Sequence, residues 1–557
     1  MRRFASSGRK VVPAAGEIRR VVAASAVGTV FEWYDFYLFA TLGPVIAAQF
    51  FGKLHSETAW LFSMLAFAAA FVVRPVGALL FGRIGDVAGR KYTFLITIMV
   101  MGLSTFMVGV LPNFASIGIA APIMLIGLRL LQGLAMGGEY GGAAVYVAEY
   151  AQRESRGAST AWIQLTASLG LLLALLVVMG VRKVLGESEF EAWGWRVPFL
   201  ISVVLLAVSM FIRWGLRESP VFEQARMQGQ ISRRPVREAF GQWRHLRLVL
   251  IALFGLTAGQ AVVWYGGQIY VLMFLTDVLR VEQDLATLLV AAALCLGAPF
   301  FILFGALSDR VGRKSVVLTG CLLASLTYFP VFGWLTEAAN PALARAMQEA
   351  QVKVVGDAKV CSSPFGLPTQ RAGVSDCDRV RQLLSQWGVS HRFEYVPVGS
   401  PVALVVKGHG MTVLTDSSPA WPSADTDRAE ALAARLRHAL KSAGYSLEAD
   451  RANVAVGKTI ALLTYLVVLV AMVYGPMAAL LAEMFPTRIR YTAMSVPYHI
   501  GNGWFGGLLP GIAFSAALQT GDIYAGLWYP VLIAGGTFVI GLLCLPETRG
   551  RALDQMD

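Results

Sequence analysis

The chain has 557 residues, of which 56% are hydrophobic and 15% charged, with a mean hydropathy of +0.60. A water-soluble fold cannot hide that much apolar surface, and the composition points to a protein that crosses a membrane many times. The formal net charge is +12, but the surplus sits ahead of the first apolar run and in one connector, where it orients a chain in a bilayer and excludes a nucleic-acid partner.

In chain order, a basic tail over residues 1–21 carries Arg2, Arg3, Arg9, Lys10, Arg19 and Arg20. It imitates a signal peptide, yet Glu32 and Asp35 interrupt the apolar run behind it and no small-residue cleavage site follows, so the run is read as a retained span. Runs of about 20 residues, the length that spans a bilayer, recur near 22–46, 59–82, 92–111, 117–146, 159–181 and 195–215. A connector at 216–246 follows, with eight Lys/Arg from Arg213 to Arg247, and reads as an amphipathic or irregular linker. Further runs lie near 248–275, 286–307, 315–335, 455–481, 491–517 and 525–545, before a tail at 546–557. The expected fold is all-α and polytopic, with twelve transmembrane helices in two six-helix halves, 22–215 and then 247–335 with 454–545. An even count behind a basic N-terminus predicts both termini on the cytoplasmic side.

Two stretches occur twice. FGRIGDVAGRK (Phe81–Lys91) is echoed by FGALSDRVGRK (Phe304–Lys314), and AEYAQRESRGAST from Ala148 by AEMFPTRIRYTAM from Ala482. Asp86 and Asp309 are 223 positions apart and Glu149 and Glu483 are 334 apart, so the second half holds 111 extra residues between Lys314 and Glu483. The halves are homologous, and one is interrupted.

The interruption, 336–453, is expected to be a small α/β domain. Strand-like segments stand near Val352, Phe393, Val402 and Met411, and amphipathic helices begin near Asp378 and Asp427, the second stopping at Gly444. Topology puts this domain outside the cell membrane, where Cys361 and Cys377 can pair and stabilise a loop by roughly 3 kcal/mol, or remain two thiols. Cys295, Cys321 and Cys544 lie in apolar spans as packing residues. His391, His409 and His438 show no ligand spacing, so neither a metal site, a cofactor nor an enzymatic constellation is expected.

Charges inside spans are functional candidates. Glu32 and Asp35 share one face of the first span. At about 1.5 Å per residue, Asp35 lies roughly 20 Å above the inner surface and Arg129, in the fourth span, roughly 15 Å below the outer one, so the two can face each other. Moving Arg129 would then switch Asp35 between proton-loaded and empty, unless the two are a fixed structural pair. Arg74 either binds an anionic group or anchors its helix; Glu139 either latches helices or touches substrate. Gln260, Trp264 and Gln268 share a face of the seventh span with Tyr265 beside it, and Tyr498, His499 and Asn502 lie in the eleventh; as a set they line a cavity.

With EWYDFYLF, RPVGALLFGRIGDVAGRK, RLLQGLAMGGEYGGA, RESPVF and AEMFPTRIR in place, the chain resembles the major facilitator superfamily, and within it the metabolite:proton symporter family. Members of that family carry osmolytes such as proline and betaine, or α-ketoglutarate, citrate, shikimate and related acids. The resemblance covers the twelve spans and not the insertion. It implies alternating access, with Asp35, Arg129 and Glu32 coupling to the proton and the Arg74–Asn502 set meeting substrate. It also implies an inner gate clamped by Gly82, Asp86, Gly89, Arg90, Lys91, Glu139, Glu149 and Arg156, and by Asp309, Gly312, Arg313, Lys314, Glu483 and Arg490. The expected partners are a small organic acid or zwitterion, a proton and the lipid bilayer of a bacterial inner membrane, with one copy of the chain sufficing. A uniporter or exchanger, or a sensor whose external domain binds ligand, is the alternative.

Overall fold

Each apolar run is a helix in the computed structural model, which describes residues 15–51, 56–215, 217–357, 376–397, 401–415 and 426–553. In order these are helix 1 (Ala15–Thr41, continued as Gly43–Phe51), helix 2 (Ser56–Val87), helix 3 (Arg90–Val110), helix 4 (Ala120–Tyr150), helix 5 (Arg156–Leu185) and helix 6 (Arg196–Trp214). After the connector come helix 7 (Trp243–Val278), helix 8 (Gln283–Val311), helix 9 (Arg313–Ala339) and helix 10 (Val456–Met484). Helix 11 joins Arg490–Ile500 to Leu509–Thr520, and helix 12 is Trp528–Cys544. Among the described residues nine of these are long and apolar enough to cross a membrane. Of the others, helix 1 carries Glu32 and Asp35 inside its run, and helix 11 is divided by a π-helical stretch at Gly501–Gly506.

Helix ends run past the apolar runs because polar residues continue the hydrogen-bond ladder into water. Helix 1 begins at Ala15 and helix 7 at Trp243, so the connector is shorter than expected and holds two short helices, Pro220–Met227 and Pro235–Gly241. Each opens on a proline, whose missing N–H costs nothing in a first turn. Helix 7 contains three π-helical stretches, at Leu253–Thr257, Gly266–Tyr270 and Phe274–Val278. Between helices 2 and 3 and between helices 8 and 9 the chain turns at Gly89 (φ 124°) and Gly312 (φ 107°), backbone shapes that a Cβ resists. Across the halves, helix 2 packs on helix 11 and helix 5 on helix 8.

After a short helix, Pro341–Glu349, the insertion is a four-stranded sheet with two helices on it. β1 (Val352–Asp357), β2 (His391–Val396), β3 (Val402–Val406) and β4 (Gly410–Thr415) stand in the order β2-β1-β3-β4. β1 and β2 run parallel, joined through the helix Asp376–Gln386, while β3 is antiparallel to both its neighbours. Val354 sits opposite Phe393 and Leu404, and the core is completed by Val380 and Leu384 of that helix and by Leu432, Leu436 and Leu440 of Thr426–Ser442. All four expected strands and both expected helices are present, the second ending before Gly444 (φ 84°). Cys377 is buried and disulfide-bonded; Cys361 lies outside the described residues. Cys295, Cys321 and Cys544 are free thiols.

This unit sits on the ends of helices 7 and 11. The His391 amide donates to the Gly521 carbonyl (2.7 Å), Arg381 to the Gln519 carbonyl (2.8 Å) and the Ile523 amide to the Ser390 hydroxyl (3.3 Å). The strands and helices leave and rejoin the bundle side by side, since the Ala455 amide donates to the Ala338 carbonyl at 2.8 Å.

Gly388 (φ 68°) lies so close to helix 7 that a Cβ would stand 1.9 Å from the Val278 carbonyl oxygen. Gly388→Ala is therefore expected to destabilise the seating by about 2 kcal/mol or more, whereas Gly408→Ala, at φ 85° with open space around it, costs only the backbone penalty of about 1 kcal/mol. Thermal melts of the two purified variants check the difference, and equal melting temperatures would contradict the contact. Burial holds the His391 imidazole down to about 4, so between pH 6.5 and 4 the unfolded chain binds a proton that the folded unit refuses. The stabilisation is whole above pH 6.5 and is lost on acidification, by about 2 kcal/mol from pH 7 to 5. A pH series of melts should show this slope in the parent and not in His391→Gln.

Candidate functional site

The repeated stretches meet at one end of the bundle and exchange partners there. Asp86, in the last turn of helix 2, accepts from the amides of Tyr491 (3.1 Å) and Thr492 (2.9 Å) at the start of helix 11. Asp309, its repeat, accepts from Gly157 and Ala158 (2.9 Å each) at the start of helix 5. Each aspartate thus caps a helix of the opposite half, where unpaired N–H groups and the helix dipole favour a negative charge. The two Glu-to-Arg stretches also pair crosswise: Arg490 donates to Glu149 and Arg156 to Glu483, both at 2.7 Å.

Arg90 stands 3.4 Å from Asp86 and 3.6 Å from Glu149, and Arg313 lies 2.5 Å from Asp309 and 3.2 Å from Glu483. The result is two equivalent clusters, each of one aspartate, one glutamate and two arginines, contributed by both halves. Lys91 and Lys314 reach the Trp214 and Leu542 carbonyls at 3.1 and 2.8 Å. Gly82 lets helix 2 approach, since a Cβ there would stand 2.8 Å from the Thr492 Cα. The expected cluster residues come together except Glu139, which lies instead beside Glu32.

Sequence reasoning missed two residues here. Glu218 accepts from the amides of Arg90 and Lys91 (3.2 Å each), and Glu547 from those of Arg313 (3.0 Å) and Lys314 (3.2 Å). Burial pushes the Glu218 carboxyl above the usual glutamate range, against the pull of the Ser219, Lys91 and Arg90 amides. The Ser219 hydroxyl donates to Glu149, and that of Thr548 to Glu483 (2.8 Å). The signal was a further echo, Glu218-Ser219 after the sixth span and Glu547-Thr548 after the twelfth.

Midway along the bundle the polar and aromatic set surrounds a collapsed centre. Trp264 packs against Trp33 (5.6 Å) and Tyr37 (6.2 Å), Tyr498 stacks on Tyr140 at 3.4 Å, and the Tyr498 and Tyr474 hydroxyls are 2.8 Å apart. Asn502 donates to Gln260 (3.0 Å) and Gln268 to Ser168 (2.9 Å). Arg74 lies over Phe71 and Phe36, 4.3 and 4.7 Å from the ring centres, and reaches Tyr265. Several buried atoms there have no hydrogen-bond partner: Arg74 Nε and Nη2, Trp264 Nε1, the Tyr37 hydroxyl, Gln268 Oε1 and both His499 nitrogens. Leaving a buried polar atom unsatisfied costs about 1–3 kcal/mol, so a cluster of them marks a place that a polar guest would complete.

The expected Asp35–Arg129 pair is not direct. Ser202 of helix 6 donates to Asp35, and Thr105 of helix 3 also hydrogen-bonds to it. Arg129 donates to Gln132 (2.6 Å), Gln132 to Thr105 (2.9 Å), and the guanidinium lies 4.1 Å from the centre of the Phe39 ring. A chain of three hydrogen bonds therefore joins the two charges. Glu32 receives Arg213 of helix 6, a residue whose place beside the basic connector made it look like linker charge in the sequence.

A family model described as "Sugar (and other) transporter" matches residues 21–234 and 441–557, and one described as "MFS/sugar transport protein" matches 142–350. The proline/betaine transporter of Salmonella typhimurium is 32% identical over 330 residues, 57% of this chain and 65% of its own length. The shikimate transporter of Escherichia coli is 35% identical over 320 residues, covering 56% and 72% of the two chains. The inner membrane metabolite transport protein YhjE of Escherichia coli is 33% identical over 344 residues, covering 60% and 77%. Among solved structures, the proton:xylose symporter XylE bound to 6-bromo-6-deoxy-D-glucose superposes with a TM-score of 0.61 at 14% identity, covering 97% of this chain and 98% of that one. That likeness concerns the fold.

Removing one cross-half cap should loosen the cluster locally. In Asp309→Ala the Gly157 and Ala158 amides lose their acceptor, a change of about 1–2 kcal/mol, so they are expected to exchange hydrogen roughly tenfold faster. Mass-spectrometric exchange across the start of helix 5 tests this; unchanged protection would remove the cap from the account.

Proposed function

Because the chain belongs to the sugar (and other) transporter family within the major facilitator superfamily, we propose that it is a symporter. It carries a small organic acid or zwitterion together with a proton across a bacterial inner membrane by alternating access. The observation that carries this reading is the knot of unpartnered buried atoms at Arg74, Trp264, Tyr37, Gln268 and His499. Arg74 offers a fork of donors to a carboxylate, and the rings of Trp33, Trp264 and Tyr37 beside it suit an apolar or cationic body. The names of the relatives, proline/betaine and shikimate transporters, fit one carboxylate on a compact body. Trp264, Tyr265, Gln260, Gln268, Tyr498 and Asn502 are the remaining substrate contacts in this reading.

The two crossed clusters act as the inner gate. They tie helix 2 to helix 11 and helix 5 to helices 8 and 10, and they must open to let substrate out to the cytoplasm. Both termini then lie in the cytoplasm and the 336–453 domain in the periplasm, where a Cys361–Cys377 bridge would persist. One copy of the chain suffices. Asp35, with Glu32 and the Arg129 chain, takes the proton. One proton falling through about 150 mV releases roughly 3.5 kcal/mol, enough for a few hundredfold accumulation of a neutral or zwitterionic solute.

Proteoliposomes given labelled betaine or shikimate under separately imposed pH and voltage gradients test the proposal. Uphill uptake is expected in the parent, of betaine with either gradient and of the shikimate anion with the pH gradient alone, and is expected to vanish in Asp35→Asn. Accumulation by Asp35→Asn equal to the parent would end it.

A further inference from the structure

Helix 1 presents Ser25, Thr29, Glu32 and Asp35 along one face, and helix 6 answers with Ser202, Ser209 and Arg213. Together they make a polar seam inside an otherwise apolar bundle. Ser202 holds Asp35 at one end, Arg213 holds Glu32, and Arg213 continues to the Ser25 carbonyl and the Thr29 hydroxyl at 3.1 Å each. A cleft lined by Glu32, Asp35, Met101, Leu206 and Ser209 joins the two carboxyl groups. The Ser209 hydroxyl and one Glu32 oxygen are buried there with no partner, and a water molecule between them would satisfy both.

Glu139 reaches this place from helix 4. Its carboxyl lies within hydrogen-bonding reach of that of Glu32, and one of its oxygens has no partner in the ionised form. Two ionised carboxylates are acceptors only, so they can bond each other only when one carries a proton. The other groups that act here are Asp35 on helix 1, Arg74 on helix 2 and the Tyr491 hydroxyl on helix 11, while Arg129 of helix 4 lies beyond Gln132.

We infer that Glu32 and Glu139 are a proton-sharing pair that receives the transported proton from Asp35 through water in the cleft and links it to the substrate through Arg74. The step moves one proton: the Asp35 carboxyl gives its proton to the water, the water passes one of its own to Glu32, and the water ends neutral. Glu139 then accepts a hydrogen bond from the protonated Glu32, or takes the proton itself. Arg74 acts on Glu139 and also stands at the central aromatic cluster. A substrate carboxylate seated on Arg74 weakens its hold on the Glu139 charge and so favours the protonated pair. By linkage, the bound proton favours the substrate. Glu139 therefore belongs to coupling and not to the clamp. This inference deepens the symport reading and rests on it.

Two measurements test it. In proteoliposomes, Glu139→Gln is expected to lower pH-driven accumulation of betaine or shikimate, whichever the parent concentrates, by roughly 100-fold, while labelled-for-unlabelled exchange persists. Glu139→Asp should restore part of the accumulation. Full accumulation by Glu139→Gln overturns the inference. Independently of any substrate, infrared spectra of the purified protein at pH 7 should show the carbonyl band of a buried protonated carboxyl. That band should survive Asp35→Asn and disappear when Glu32→Gln and Glu139→Gln are added to that variant. Its absence from Asp35→Asn, or its persistence in the triple variant, overturns the pair even if the variants fail to transport. A parent that concentrates nothing under either gradient defeats symport instead, and leaves the infrared result to judge the pair alone.

Discussion

A buried charge must be neutralised within the reach of its own side chain, and at the loop end of this bundle each charge cluster draws its members from both halves of the molecule. Arg156 and Arg490 each leave their own repeat to find Glu483 and Glu149. Asp86 and Asp309 each cap a helix that their own half does not contain. Breaking one side of such a pair strands a charge, which costs about 3–5 kcal/mol, so the halves meet in one register or not at all. The same arginines bind the C-terminal segment, Arg490 to the Leu553 carbonyl (3.0 Å) and Arg156 to that of Arg551 (3.1 Å).

Toward the middle the constraint is relaxed. Asp35 of helix 1 is satisfied by hydroxyls, with Ser202, Thr105 and Gln132 standing where a direct ion pair with Arg129 was expected, while Glu32 keeps Arg213. A hydroxyl can turn to donate or accept, and a proton can be added or removed without stranding a fixed charge. The loop end is therefore a latch of fixed charges, while the centre is a set of adaptable ones. The π-helical stretches Gly266–Tyr270 of helix 7 and Gly501–Gly506 of helix 11 lie at this level, where extra residues per turn re-aim side chains such as Gln268 and Asn502.

Much of this was written in the sequence. Twelve apolar runs gave twelve helices because each must satisfy its own backbone. The insertion's four strands and two helices followed from period-two and period-3.6 patterns and from Gly444. The two offsets, 223 and 334, locate the insertion by their difference alone. What the sequence withheld was rotation and partnership. Asp35 and Arg129 were placed at compatible depths, but depth leaves open which neighbour a side chain turns toward, and Asp35 turned to Ser202. Repetition made Glu149 and Arg156 look like one unit, although the duplication has them serve opposite clusters. Arg213 sat one residue inside a helix end and was counted with the linker.

The insertion enters and leaves the bundle at Ala338 and Ala455, whose backbones share a single hydrogen bond. From the viewpoint of helices 9 and 10, the 116 residues between them close a loop no wider than a tight turn. The scaffold is thus indifferent to the size of what it carries there. A guest fold with adjoining ends, a fluorescent reporter or a binding module, can be spliced at the same two alanines while helices 9 and 10 keep their spacing.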